Sequence, residues 1–287
     1  MLDFATVAKT KISIVKYLNS VPLAWGILQG PQSDFFETVL HTPAECADQL
    51  KDRKVDIGLI PSIEFQRIAG TRIIPGPVVA CRHRVRSVLL ISNKPLYEVK
   101  TVAVDNSSRT SAVLARIVFS EFFHTRPDFK PAAADLAAML ASSDAAVLIG
   151  DAALKFMEEH ERPNAEKQKA FLRYGPEPLE VFDLAERWKF LTGQPFVFAF
   201  WAAREGFKDE SVAEALRQSR EFGVHNIPEI AKRYAAELSL KEEFLQEYLT
   251  ENVHYYMDDA CVEGLRLFYE MAKEVGAIKT ARSVEFL

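Results

Sequence analysis

The sequence predicts an α/β protein of two lobes facing each other across a ligand cleft, followed by a helical C-terminal tail. Three observations predict it. Short apolar runs alternate with helical patterns through about the first two hundred residues, and this pattern restarts after "SNKPLYEVK" (92–100). Two long apolar runs, 87–96 and 194–202, suit crossings of the chain between lobes. With 287 residues, 48% of them hydrophobic and 26% charged, the chain is long for one layered core and comfortable for two. The expected division is 1–93 for the first part of lobe 1, 94–197 for an inserted lobe 2, and 198–287 for a return crossing and a helical tail packed on lobe 1.

The elements follow in order. "KISIV" (11–15), "FFETVL" (35–40), "VDIGLI" (55–60) and "SVLLIS" (87–92) read as strands rich in β-branched and aromatic residues. Between the second and third lies "TPAECADQLKDRK", where Thr42 is an N-cap, Pro43 the first helical residue and Glu45 the partner that completes a capping box. Strand, helix, strand at that spacing is a parallel crossover unit. "TVAV" (101–104) opens the second unit, a helix spans about Arg109 to Phe123, and "AAVLIG" (145–150) is another buried strand. The Glu158–Pro178 segment reads as a surface excursion, and "GQPFVFAFWAAR" (193–204) as the return crossing. Beyond about Asp209 the pattern is helical, most clearly where Cys261, Leu265, Phe268, Met271, Ala272 and Val275 recur at three- and four-residue spacing.

Composition excludes several classes. The net charge of −5 and the lack of a long basic run argue against nucleic acid. No apolar stretch approaches the roughly 20 residues of a membrane span. The N-terminus "MLDFATVAKTKISIV" lacks the charged start and cleavage site of a secretory signal, so a cytoplasmic location is expected. Cys46, Cys81 and Cys261 are odd in number and widely spaced, which fits buried free thiols. The six histidines show no metal-ligand spacing, and there is no glycine-rich nucleotide loop and no G-x-S-x-G elbow. No metal site is expected.

In parallel α/β sheets, ligands bind beyond the carboxyl ends of strands, where helix N-termini point. Small polar residues follow four strands here: Asn19 and Ser20, Ser62, the turn "DNSSRTS" (105–111), and Asp151. Capping alone accounts for most such residues. The 105–111 turn is harder to explain that way. One cap needs one hydroxyl, and Ser107, Ser108, Thr110 and Ser111 surround Arg109. Free helix N–H groups, hydroxyls and a guanidinium together make a carboxylate site. "CRHRVR" (81–86) puts Arg82, Arg84 and Arg86 on one face if it is a strand. It would then be either a solvated edge or an attractor for an anionic substrate.

Six blocks carry a resemblance: "YLNSVPL" (17–23), "DIGLIPSIEF" (56–65), "VRSVLLIS" (85–92), "DNSSRTSAVL" (105–114), "LIGDAAL" (148–154) and "WKFLTGQPFVFAFWAAR" (188–204). In order and spacing they resemble the chorismate dehydratase family of the futalosine route to menaquinone. One departure is "RHR" (82–84), where the family commonly has a turn glycine. The resemblance implies the fold of type II periplasmic binding proteins. It implies conversion of chorismate to 3-[(1-carboxyvinyl)oxy]benzoate and water without a metal or organic cofactor. It places Asn19 and Ser87 at the reacting centre, with Ser62, Ser108, Arg109, Thr110, Ser111 and Asp151 around the substrate. A pure carboxylate-binding module of this fold and a 1,4-dihydroxy-6-naphthoate synthase-like enzyme are the competing readings. Asn and Ser are poor bases. That leaves either Asp151 or the substrate's own enolpyruvyl carboxylate to remove the proton, and the sequence leaves both open.

Overall fold

In a computed structural model of the chain, residues 9–161 and 178–287 are described, so most of the Glu158–Pro178 excursion lies outside the described residues. One sheet holds β1 (Thr10–Val15), β2 (Phe36–His41), β3 (Ile57–Pro61), β4 (Arg72–Cys81), β10 (Phe196–Ala203) and β11 (His254–Tyr256), ordered β11–β4–β10–β3–β1–β2. The other holds β5 (Val88–Ser92), β6 (Thr101–Asp105), β7 (Asp128–Ala132), β8 (Ala145–Ile149) and β9 (Glu180–Asp183), ordered β7–β6–β8–β5–β9. Each has a parallel heart, β2–β1–β3 and β7–β6–β8. Each also has one strand from a crossing segment running antiparallel, β10 in the first and β5 in the second.

Helices α1 (Val21–Gln29), α2 (Pro43–Lys51) and α3 (Glu64–Arg67) belong to the first lobe. The second carries α4 (Thr110–Phe123), α5 (Leu136–Ser142), α6 (Gly150–His160) and α7 (Leu184–Thr192). The expected capping box starts α2: the Glu45 N–H donates to Thr42 Oγ1, and the Thr42 N–H donates to Glu45 Oε2 at 2.8 Å. The tail comprises α8 (Ser211–His225), α9 (Ile227–Leu238), α10 (Glu242–Glu247), a π-helical turn (Tyr248–Asn252), β11 and α11 (Asp259–Glu274). Among the described residues no helix is long and apolar enough to cross a membrane.

Several sequence expectations need correction. Residues 88–92, assigned to the first lobe, form β5 and pair with β8 and β9 in the second sheet. The strand is buried throughout and its apolar run suits that interior position. The chain therefore crosses at 82–87 and returns through α7 to β10. "CRHRVR" is a turn after β4, not a strand, and Arg86 adopts φ 59°. Its arginines serve local ion pairs: Arg82 with Asp258, Arg84 with Glu161 at 2.6 Å, and Arg86 with Glu247 at 2.8 Å. β4 itself is missed by pattern reading because Pro75-Gly76-Pro77 looks like a breaker. The strand accommodates it as a bulge, with a register shift against β10 and Gly76 at φ 112°. The tail is not wholly helical, since β11 adds to the sheet edge beside β4.

One apolar cluster runs through both lobes, and a smaller one lies under α5 and α6. At the return crossing, Trp188 packs edge-on against Phe196 (5.3 Å between centroids) and Phe268 of α11 (6.2 Å). The tail also reaches past lobe 1. The Lys241 N–H donates to Glu158 of α6 at 2.7 Å, and Phe244 packs against the second-lobe cluster.

Candidate active site

The carboxyl ends of β1, β3, β6 and β8 face a shared cleft lined by residues that include Tyr17, Asn19, Ser20, Pro61, Ser107–Ser111 and Gly150. Val15, Val79, Val88, Ile149 and Phe198 make its apolar walls. Among the described residues, Arg109 is the one ionised side chain lining it.

The 107–111 turn divides its hydrogen-bonding capacity between the lobes and the cleft. The Ser107 hydroxyl donates to Asp105 Oδ1 at 2.8 Å, so the Tyr17 phenol, 2.8 Å away, is the donor in their contact. Thr110 Oγ1 accepts the Ile63 N–H at 3.2 Å. Arg109 does not offer its fork to the cleft as expected. One terminal nitrogen donates to Glu64 at 2.9 Å and the other to both oxygens of Asp48, at 2.9 and 2.8 Å. The reason is charge pairing: Glu64 is buried, and a buried carboxylate requires cations beside it. Thus Arg109 and Thr110 tie lobe to lobe. Ser108 and Ser111 remain for a ligand, and both are buried and line the cleft. Ser108 Oγ has no hydrogen-bond partner. The turn makes no side-chain cap on α4, so the first N–H groups of that helix are not used up by its hydroxyls.

Asn19 sits on a short 3-10 turn (Leu18–Ser20) between β1 and α1 and lines the cleft. Its Oδ1 accepts the Ser20 hydroxyl at 3.1 Å. The other expected groups stand behind the wall. Ser87 is fully buried, its Oγ accepting the Tyr248 phenol at 2.8 Å. Ser62 is also fully buried, and its hydroxyl donates to the Val197 carbonyl at 2.8 Å. The Ser62 N–H bonds to the Phe198 carbonyl and its own carbonyl accepts the Tyr269 phenol at 2.8 Å, so Ser62 is a structural knot joining β3, β10 and α11. Asp151 does not line the cleft. Its Oδ1 accepts the Leu18 N–H at 3.1 Å, and burial raises its pKa.

Sequence reasoning missed Tyr17, Gly150 and Tyr248. Gly150 opens α6 at φ 63°, and a Cβ there would meet the Tyr17 ring at 2.8 Å. Burial pushes the Tyr17 phenol up to about 12, which keeps it a donor. Tyr17 lies within a quoted motif, but nothing in its spacing marks it. Tyr248 meets the site only through tertiary packing.

The three cysteines are free and buried, as expected. Among the described residues, the structure assembles one metal-capable trio that spacing did not reveal: His254, Asp258 and Cys261 place their donor atoms within 4.8 Å of one another. Its arrangement has another explanation. Asp258 caps α11 through the Cys261 N–H at 2.8 Å, and the cationic Arg82 donates to both Asp258 and His254. Burial pushes the Cys261 thiol up to about 12.

A family model described as menaquinone biosynthesis matches residues 10–274. The chain is 30% identical over 269 residues to a chorismate dehydratase of Thermus thermophilus, spanning 90% of this chain and 93% of that one. Its fold resembles the crystal structure of a protein from Archaeoglobus fulgidus, with a TM-score of 0.72 at 19% identity over 94% of this chain and 98% of that one. A Candida albicans protein described as having the generic periplasmic binding protein fold matches with a TM-score of 0.65 at 12% identity, covering 96% of this chain and 92% of that one. Two mixed sheets around a cleft are therefore a periplasmic-binding-protein-like fold, and the chain belongs to the menaquinone-biosynthesis family as a relative of chorismate dehydratase.

Proposed function

We propose that this chain is a hydro-lyase that converts chorismate to 3-[(1-carboxyvinyl)oxy]benzoate and one water. One observation carries the mechanism: among the described residues, the cleft lining contains no carboxylate, imidazole, amine or thiol. Such a lining suits a substrate that brings its own base. In chorismate the ring proton beside the enolpyruvyl ether leaves, the neighbouring hydroxyl departs, and the ring becomes aromatic. Aromatisation supplies the driving force, so the protein must mainly orient the dianion and stabilise developing charge.

In this reading the N-terminus of α4, with Ser108 and Ser111, receives one substrate carboxylate. The unpartnered Ser108 hydroxyl supports that assignment. The apolar walls hold the ring, and Asn19 hydrogen bonds to the reacting centre. The enolpyruvyl carboxylate takes the ring proton. The engagement of Asp151 with Leu18 favours this route over the Asp151 alternative.

The test is incubation of the purified protein with chorismate in the presence of a metal chelator. One aromatic product per chorismate consumed is expected. Tight binding without turnover would leave a carboxylate-binding module, and turnover abolished by chelation would bring a metal into the reaction.

A further inference from the structure

A second pocket lies at the far end of α4 from the cleft, roughly 20 Å away along the 14 residues of that helix. Arg116 and Ser120 stand one turn apart on the helix. His124 then ends it in the left-handed region at φ 51°, and the Thr125 N–H turns back to donate to the Phe119 carbonyl at 3.2 Å. This reversal brings Thr125, Arg126 and Pro127 into one pocket with Arg116 and Ser120, closed by Phe129 of β7 and by Val275 after α11. The Arg116 guanidinium lies over the Phe129 ring, 4.5 Å from its centroid, a contact that leaves its N–H donors free.

The two arginines differ from all the rest. Among the described residues, every other arginine bonds to a carboxylate or to a backbone carbonyl. Arg116 and Arg126 do neither, and both line this pocket. Carboxylates are not scarce in a chain with 40 acidic residues and a net charge of −5, yet none lines the pocket. Thr125 Oγ1 is buried there without a hydrogen-bond partner. A hydroxyl withheld from water and left unbonded costs stability, and such exceptions call for a missing partner. Ser120 adds a second hydroxyl to the lining.

Two guanidinium forks and two hydroxyls with no competing anion make a site for an oxyanion. A carboxylate presents two oxygens in one plane. A phosphate presents three or four in a tetrahedron, so it can take bonds at once from donors on the helix and on the turn beyond it. We propose that this pocket is a second ligand site, one that binds a phosphate group through Arg116, Arg126, Thr125 and Ser120. It shares no residue with the cleft, so its occupancy can be read whether or not the chain dehydrates chorismate.

The probes are inorganic phosphate, phenyl phosphate and benzoate, each titrated against the full chain at constant ionic strength and followed by calorimetry and Tm. Inorganic phosphate should bind saturably and raise Tm. Arg116→Gln and Arg126→Gln should each weaken it by about tenfold or more, the worth of one charge-assisted bond, and the double variant should lose the saturable response. Thr125→Val keeps the side chain's shape and removes the unpartnered hydroxyl. It should leave the Tm of the free protein level or higher while weakening phosphate, a combination that a merely structural threonine would not give. Phenyl phosphate binding more tightly than inorganic phosphate supports an ester as the occupant, and equal affinity supports the free ion. Phosphate binding that persists undiminished in the double variant overturns the proposal, as does a Tm rise that sodium chloride reproduces at equal ionic strength. A benzoate response, which the cleft can give, should be the same in wild type and double variant; its loss with the arginines would make this a carboxylate site and overturn the phosphate assignment.

Discussion

Arg109 offers the sharpest test of how the two lobes are held. In Arg109→Met the side chain keeps its reach and loses its charge. The bond to buried Glu64 at 2.9 Å is charge-assisted and contributes about 1.5–3 kcal/mol. Glu64 keeps a second cation, Arg67, at 2.8 Å, so it is not left unpaired and the larger penalty for a stranded buried charge does not apply. The Asp48 pair is half exposed on its acidic side and adds at most about 1 kcal/mol. The sum, about 1.5–4 kcal/mol, is lost from the lobe-closed arrangement, a shift of roughly 10- to 700-fold in its population relative to an open one. Small-angle scattering of the unliganded variant should show a larger radius of gyration, and calorimetry should show weaker binding of the benzoate product. Glu64→Gln should reproduce both changes in milder form, and Asp48→Asn should change little. The reasoning is refuted if Arg109→Met weakens binding while Glu64→Gln does not and the radius of gyration stays constant. That outcome would put the guanidinium on the ligand's carboxylate.

Other expectations follow from single contacts. Asn19→Ala should lower kcat on the order of 10²–10⁴-fold with a much smaller effect on product affinity, read from steady-state kinetics and calorimetry. Gly150→Ala should cost roughly 1–3 kcal/mol in urea unfolding, because alanine is strained at φ 63° and its methyl would collide with the Tyr17 ring. With the substrate's own carboxylate as base, kcat should stay level down to about pH 5. An acid limb near neutrality that disappears in Asp151→Asn would instead make Asp151 the base. Two acids, one buried and one partly exposed, should tilt stability in opposite directions. Burial raises Asp183 to about 6, so its contribution is fully present below about pH 4 and is lost as pH rises through about 6; the stability advantage of wild type over Asp183→Asn should shrink across that window. Asp144 is lowered to about 2, held against its own burial by Lys94 and the Lys100 and Thr101 N–H groups, so its contribution is lost as pH falls from about 4 toward 2, and Asp144→Asn should flatten that limb.

Much of the architecture was legible because strand and helix periodicities are local. The strands at 11–15, 55–60, 101–104 and 145–150 and the capped helix at 43–51 were found where expected, since each is set by its own residues. β4 was not legible, because Pro75-Gly76-Pro77 reads as a turn until the bulge against β10 is seen. The lobe to which β5 belongs could not be read either. A uniformly apolar strand is compatible with either sheet, and its pairing with β8 decides the matter. For the site, strand-end polarity pointed to Asn19, Ser108 and Ser111, which line the cleft. It could not separate residues that face the cleft from those one layer behind, because Ser62 and Ser87 differ from Ser108 only in which partners the tertiary fold brings to them. Tyr248 is the extreme case: 161 residues from Ser87 in sequence, it carries no local signature of its contact.

The distribution of polar groups around the cleft also bears on how closure is achieved. In hinged binding proteins an anion that bridges both lobes draws them together. The structure instead joins them directly: Arg109 to Asp48 and Glu64, Tyr17 to Ser107, the Leu18 N–H to Asp151, and the Ile63 N–H to Thr110. A ligand entering such a cleft need not spend its binding energy on closing the protein. For a receptor that must signal its loaded state by closing, this would be a poor arrangement. For a catalyst whose cleft offers mostly hydroxyls, a carboxamide and helix N–H groups, with the Arg109 guanidinium committed to Asp48 and Glu64, it is a favourable one, because neutral dipoles stabilise a transition state only when they are already aimed. The cost falls on the exit step, since product release must break these same bonds. Variants that loosen the Arg109 latch should therefore raise the product off-rate before they affect the chemical step, a separation that single-turnover and steady-state rates on chorismate can measure.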